Sequence, residues 1–152
     1  MTHTEQRGSL QRMDNIAVVV DDLAAATAFF TELGMELEGE ATLEGGLVDR
    51  LISLDGVRTD IAMMRLPDGP GRIELTKYHT PASPGAGQPA PVNALGLHRI
   101  MFAVHDIEDV IERLKPHGAA LVGEVVRYGD SHRLAYLRGP AGIVVALAEQ
   151  LG

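Results

Sequence analysis

The chain carries six histidines and no cysteine. His79, His105, His117 and His132 fall at expected strand ends, turns or helix ends. None stands in the HxH or HxxxH spacing that puts two imidazoles on one metal ion. The default for these residues is a solvated imidazole. Without cysteine there is no thiolate nucleophile, no disulfide framework and no Cys-type metal site. No Gly-x-Ser-x-Gly turn presents a serine nucleophile. The Gly-rich piece Pro67-Asp-Gly-Pro-Gly71 lacks the Lys-Ser/Thr pair of a phosphate loop, and no dinucleotide fingerprint opens a helix. The chemistry left over is that of carboxylates and guanidinium groups.

The elements that must position such groups come in duplicate. Sliding the sequence by 84 positions lays Asp14–Glu40 on His98–Glu124 without a gap. Identities fall at Ile16/Ile100, Val20/Val104, Asp22/Asp106, Gly34/Gly118, Leu37/Leu121, Gly39/Gly123 and Glu40/Glu124. A second block follows in the same order, Ala62–Gly69 on Ala135–Gly142. Two copies of one module of about 70 residues account for both matches.

Each copy opens on a β-branched apolar run, Ile16–Val20 or Ile100–Val104, which reads as a strand. An aspartate suited to an N-cap follows, Asp22 or Asp106. Helical spacing comes next: Leu23, Ala26, Phe30 and Leu33, then Ile107, Val110, Ile111 and Leu114. Asp109, three positions after Asp106, makes a variant of the capping box. Gly34 and Gly118 supply the left-handed stop, and Pro116 closes the second helix. Three strand segments are predicted after each helix. They lie near 36–42, 49–54 with 60–66, and 71–78 in the first copy. In the second they lie near 120–128, 132–138 and 143–149.

The fold class is therefore α+β, with two tandem βαβββ modules forming a cupped mixed sheet. Residues 1–12 form an N-terminal arm, 13–79 the first module, 80–94 a linker rich in Pro and Gly, and 95–150 the second module. A helix covers one face of each sheet and leaves the other open. The modules must close those faces on each other or on a second chain, which makes a concave small-molecule site.

Composition narrows the partners. Thirteen basic residues against 21 acidic ones give a net charge of −8 over 152 residues. Nucleic acid and anionic membranes are poor partners for such a mean field. Tryptophan is absent, which argues against base-stacking platforms. Met1–Arg12 has no apolar targeting segment, and Ile16–Val20 is far too short to cross a bilayer. A cytoplasmic location is the expectation.

The paired modules, with "MDNIAVVVDDLAAATAFFTELGMEL", "GLHRIMFAVHDIEDVIERLKPHGAALVGE" and "LRGPAGIVVALAEQ", resemble the vicinal-oxygen-chelate superfamily. Its members include glyoxalase I, methylmalonyl-CoA epimerase, extradiol dioxygenases and bleomycin-resistance proteins. The resemblance runs from about Met13 to Gln150 and implies the fold and superfamily rather than one reaction. Metal-dependent members place ligands in the first and last strand of each module. Carried over, those positions are Asn15, Arg99, Glu74 and Ala146. Only Glu74 is an ordinary ligand, Ala146 has no donor atom, and Arg99 brings a permanent positive charge. The resemblance thus implies no metal and no other cofactor.

On the same footing, Arg99 is expected to replace the cation, to pair with Glu74 and, with Asn15, to hold a carboxylate, enolate or carbonyl oxygen. Glu74 becomes the general base beside that oxygen. Met63, Tyr78, Met101, Leu134, Tyr136 and Ala146 are the expected substrate-binding walls, with Ile61 as a repeat equivalent and Arg72 near the mouth. His98, one residue from Arg99, takes the opposite strand parity and a structural role. Three functions follow. The first is a metal-independent isomerase, epimerase or lyase. The second is a protein that sequesters a drug or metabolite, and the third a metal-dependent glyoxalase- or dioxygenase-type enzyme with relocated ligands. A homodimer is implied by the resemblance.

Overall fold

The computed structural model describes residues 8–84 and 89–152. Residues 1–7 of the expected arm and 85–88 of the expected linker lie outside it. The strands are β1 (Ile16–Val19), β2 (Glu36–Glu44), β3 (Arg58–Arg65), β4 (Arg72–Thr80), β5 (Arg99–Ala103), β6 (Ala120–Leu121), β7 (Val126–Tyr128), β8 (His132–Arg138) and β9 (Val144–Gln150). The helices are α1 (Leu23–Leu33), α2 (Gly46–Ile52) and α3 (Ile107–Leu114).

The duplication read from the sequence is visible in the strand order. One sheet runs β1-β4-β3-β2 and the other β5-β9-β8-β6, with β7 also on β8. In both, the first strand lies parallel to the last, and the remaining pairs are antiparallel. The helix of each module crosses from its first strand toward the far edge, so it covers one face only.

The helices begin and end as their residues dictate. The Asp22 carboxylate accepts a hydrogen bond from the Ala25 amide, and that of Asp106 accepts one from the Asp109 amide. Gly34, at φ 125°, returns its amide to the carbonyls of Phe30 and Thr31, closing α1. The core lies between the helices and the covered sheet faces. Phe29, Phe30, Met64, Leu75, Ile107, Leu114 and Leu147 are buried there, and Phe29 meets Phe30 edge to face. α1 also packs against α3, which joins the modules through their helices.

Two predicted strands are corrected. The 49–54 segment is the end of α2 and the turn after it, not a strand. Leu47 and Leu51 recur at helical spacing there. The Asp49 carboxylate accepts from the amides of Gly56 and Val57, folding the following loop back onto the helix. The 120–128 strand is broken into β6 and β7. Gly123 sits in the break, where a residue without a side chain to pack weakens a strand.

The edge strand β2 is exposed along its whole length. Its glutamates protect that edge by charge: Glu36 pairs with Arg65 at 2.9 Å and Glu38 with Arg72 at 3.0 Å. The Arg72 pair holds the Glu38 carboxyl below its usual range. No helix among the described residues is long and apolar enough to cross a membrane.

Candidate functional site

Strand parity sorts the expected site residues onto two open faces. In β4, Ile73 and Leu75 enter the core, so Glu74, Thr76 and Tyr78 face the other way. Glu74 lies beside Ala17 of β1 and Met63 of β3. Its carboxylate is half-buried and accepts a hydrogen bond of 3.1 Å from the Thr76 hydroxyl, itself 6% exposed. Thr76 carried no sequence signal beyond its shared parity with Glu74.

The second sheet shows the same logic. Ala135, Leu137, Val145 and Leu147 enter the core, leaving Leu134 and Tyr136 of β8 on the open face. Ala146 sits between Met101 of β5 and Tyr136 of β8. Ala146 is fully buried, as are Val144, Val145 and Leu147 on the same central strand, while Met101 is 51% exposed. Arg99 is exposed at the start of β5, and its guanidinium carbon lies 5.3 Å from the centroid of the Tyr136 ring. That is a cation–π contact, which holds the charge above an aromatic floor.

The structure thus brings Arg99, Met101, Leu134, Tyr136 and Ala146 together on one sheet. Glu74, Met63 and Tyr78 lie together on the other. Asn15 is exposed just before β1 and belongs to neither strand. The expected Arg99–Glu74 ion pair does not form within the chain. Among the described residues neither side chain joins any salt bridge. The two groups stand on different sheets, each with another local partner: a hydroxyl for Glu74, an aromatic ring for Arg99.

Two cavities follow the seam between the modules. One, of 220 Å³, is lined by β1 from Ile16 to Val19 and by residues 97–100, Arg99 included. The other, of 890 Å³, is lined by Val19, Asp21, Leu54, Tyr78 and the turn residues Ala141 and Gly142. Pro81, Pro84, Pro89 and Ala90 complete its wall. Arg138 fixes that wall by donating to the carbonyls of Ala90 and Gly142, both at 2.7 Å. A side chain at Gly142 would meet Pro89 at 3.0 Å, so glycine is needed where the strand turn touches this segment. Composition gave the segment as a linker and concealed its part in a cavity.

A separate polar cluster lies at the far end of the first sheet. The Asp60 carboxylate accepts from the Thr42 hydroxyl at 2.6 Å and bonds His79 Nε2 at 2.8 Å. Those two bonds, Thr42 first, hold the Asp60 carboxyl below its usual range. His98, given a structural role from parity, is half-buried with Nε2 at 3.4 Å from the Leu95 carbonyl.

Comparison with known proteins agrees with this architecture. The family model described as Glyoxalase/Bleomycin resistance protein/Dioxygenase superfamily matches residues 12–147. A crystal structure of a glyoxalase family protein from Bacillus cereus is 49% identical, with a TM-score of 0.91. The match covers 97% of this chain and 99% of that one. The uncharacterized protein YaeR of Escherichia coli (strain K12) is 26% identical over 142 residues, 93% of this chain and 98% of that protein. TnmS3, an antibiotic binding protein from Streptomyces sp. CB03234, shares the fold at 18% identity with a TM-score of 0.58, over 95% of this chain and 99% of that one. With a matching model across most of its length and both modules built to one topology, the chain belongs to the Glyoxalase/Bleomycin resistance protein/Dioxygenase superfamily.

Proposed function

We propose that this chain binds a small organic molecule through a carboxylate or carbonyl oxygen at Arg99 and moves a proton beside that oxygen with Glu74, without a metal. The observation that carries the reading is the state of Arg99. Its guanidinium is exposed, oriented by the Tyr136 ring and joined to no acidic group among the described residues. A cation held in place but left unpaired is ready for an anionic oxygen.

In the proposed step the Glu74 carboxylate takes a proton from the carbon next to the ligand's carbonyl. The C–H electron pair becomes the C=C bond and the carbonyl π pair moves onto oxygen, giving an enolate that Arg99 stabilises. Return of the proton to the other face, or to a neighbouring atom, completes an epimerisation or isomerisation. Loss of a β-substituent from the enolate instead gives a lyase. The Thr76 hydroxyl keeps the Glu74 carboxylate in one orientation.

The donor set supports a metal-free reading. Asn15, Glu74, Arg99 and Ala146 occupy the positions at which metal-dependent relatives are expected to hold a cation. No group of three or more His, Cys, Asp or Glu side chains is gathered for a metal among the described residues. A set that offers one carboxylate and a guanidinium does not fit a divalent ion. No step is routed through one.

Both arrangements leave apolar side chains on the open faces: Val19 is 46% exposed, Met101 51% and Val126 49%. A homodimer belongs to the same proposal, because a second copy would cover those faces and enclose the ligand. A cytoplasmic location is part of it as well.

A second reading is sequestration without turnover. It is favoured by the broad, open apolar faces, and an antibiotic binding protein shares the fold. One experiment separates the two. Melting temperatures are measured against a panel of small carboxylic and 2-oxo acids, and each acid that stabilises the protein is then incubated in D2O. Catalysis predicts deuterium uptake next to the carbonyl, lost in Glu74→Gln with binding retained. Binding without exchange selects sequestration. A panel in which nothing binds wild type more tightly than Arg99→Leu overturns the proposal.

A further inference from the structure

The two seam cavities share two of their walls. Val19 and Ala141 line both the 220 Å³ cavity that holds Arg99 and the 890 Å³ cavity that holds Tyr78. Val19 is the last residue of β1, 46% exposed, and Ala141 sits in the turn between β8 and β9. Ala141 adopts φ 56°, a left-handed conformation that costs a non-glycine residue free energy and is retained only where surroundings impose it. These two residues are common to the small cavity that Arg99 lines and the large, mostly apolar one.

We infer that the seam is a single elongated binding track for an organic monoanion, with its charged head on Arg99 and an unbranched apolar body passing Val19 and Ala141 into the larger cavity. This rests on the reading of Arg99 given above and adds the ligand's shape and charge. The larger cavity has the size of ordinary ligand sites, within the usual range of about 300–1,000 Å³. Its walls are mostly apolar: Val19, Leu54, Pro81, Pro84 and Ala141, with the Tyr78 ring. Its charged lining residue is the carboxylate of Asp21, and Ser83 adds a hydroxyl. The charged residues of the two cavities therefore differ in sign. A negative head is attracted at Arg99, and a second negative group in the larger cavity meets Asp21 and apolar walls. A neutral apolar tail fits; a diacid does not.

The test uses the full-length protein and a homologous series of straight-chain acids from propionate to octanoate, with calorimetric titration as the readout. Affinity should rise about threefold to fourfold per added methylene as the tail fills the larger cavity. Suberate, a diacid with the same carbon count as octanoate, should bind about tenfold more weakly than octanoate. Val19→Trp adds bulk at the wall shared by the two cavities, and Leu54→Asp places a charge on the apolar wall of the larger one, at a residue already 44% exposed. Each should lower octanoate affinity about tenfold, and Leu54→Asp, which lines the larger cavity and not the one with Arg99, should leave propionate within about twofold. Leu54→Asp lies outside the strands, so it keeps the test open if Val19→Trp does not fold. A flat series in wild type, with propionate binding that still needs Arg99, overturns the track and leaves the Arg99 reading intact. Acids of every length binding wild type and Arg99→Leu equally overturn both.

Discussion

The Arg99 guanidinium rests over the Tyr136 ring, 5.3 Å from carbon to centroid, while the buried Ala146 stands in register between the same tyrosine and Met101. Arg99 on β5 reaches across the central strand β9 to that ring on β8. The tyrosine ring gives the arginine a surface to lie on. The charge is thereby fixed without an acidic partner, which leaves its hydrogen-bond donors for a ligand.

Removing that floor should weaken the binding of acids without removing the charge. Tyr136→Leu is expected to cost about 0.5–1 kcal/mol of binding, a two- to fivefold loss, because a cation–π contact at an exposed site is worth that much. Tyr136→Phe keeps the ring and should bind as wild type. Calorimetric titration of one acid against the three proteins checks this, and equal losses in both variants would show that the phenol hydroxyl matters instead.

The Asp60 cluster predicts the acid limb of stability. A carboxyl whose native pKa is lowered adds stability above its unfolded pKa, and loses it as pH falls through the lowered native value. The bonds from Thr42 and His79 lower that of Asp60. Asp60→Asn should therefore be less stable than wild type at neutral pH, with the gap closing in strong acid. Urea midpoints measured across that range test it. A gap that stays constant with pH would assign the loss to packing.

The helix-facing side of the first sheet carries the packing load. Leu75 is fully buried against the core beneath α1. Leu75→Ala should destabilise the protein by about 2–5 kcal/mol through lost burial and the cavity left behind. The denaturant midpoint reads it directly, and a loss under about 1 kcal/mol would mean that this face repacks freely.

Much of this arrangement was legible from residue pattern alone. The repeat, both N-cap aspartates and the alternation of Ile73, Glu74 and Leu75 are local features, and local rules decide them. The 49–54 segment was misread because Leu51-Ile-Ser-Leu54 is short, and its apolar content suits a strand or a helix equally. The deciding feature was the side chain of Asp49 reaching forward to Gly56 and Val57, which propensity does not encode.

The Arg99–Glu74 pairing failed for a related reason. Parity told which face each side chain takes, but not that a nearby ring would claim the arginine or a nearby hydroxyl the glutamate. The cavity behind Val19 depends on where Pro81–Pro84 and Pro89–Ala90 settle. A stretch rich in proline reports its stiffness and not its resting place.

The proposal that Glu74 moves a proton beside an oxygen held by Arg99 is tested most directly by proton NMR of a bound 2-oxo acid in D2O. Wild type should exchange the carbon-bound protons next to the carbonyl. Glu74→Gln should bind the same acid and leave those protons in place, and Arg99→Leu should bind it poorly. Exchange that persists in Glu74→Gln, or affinity undiminished in Arg99→Leu, would contradict the account.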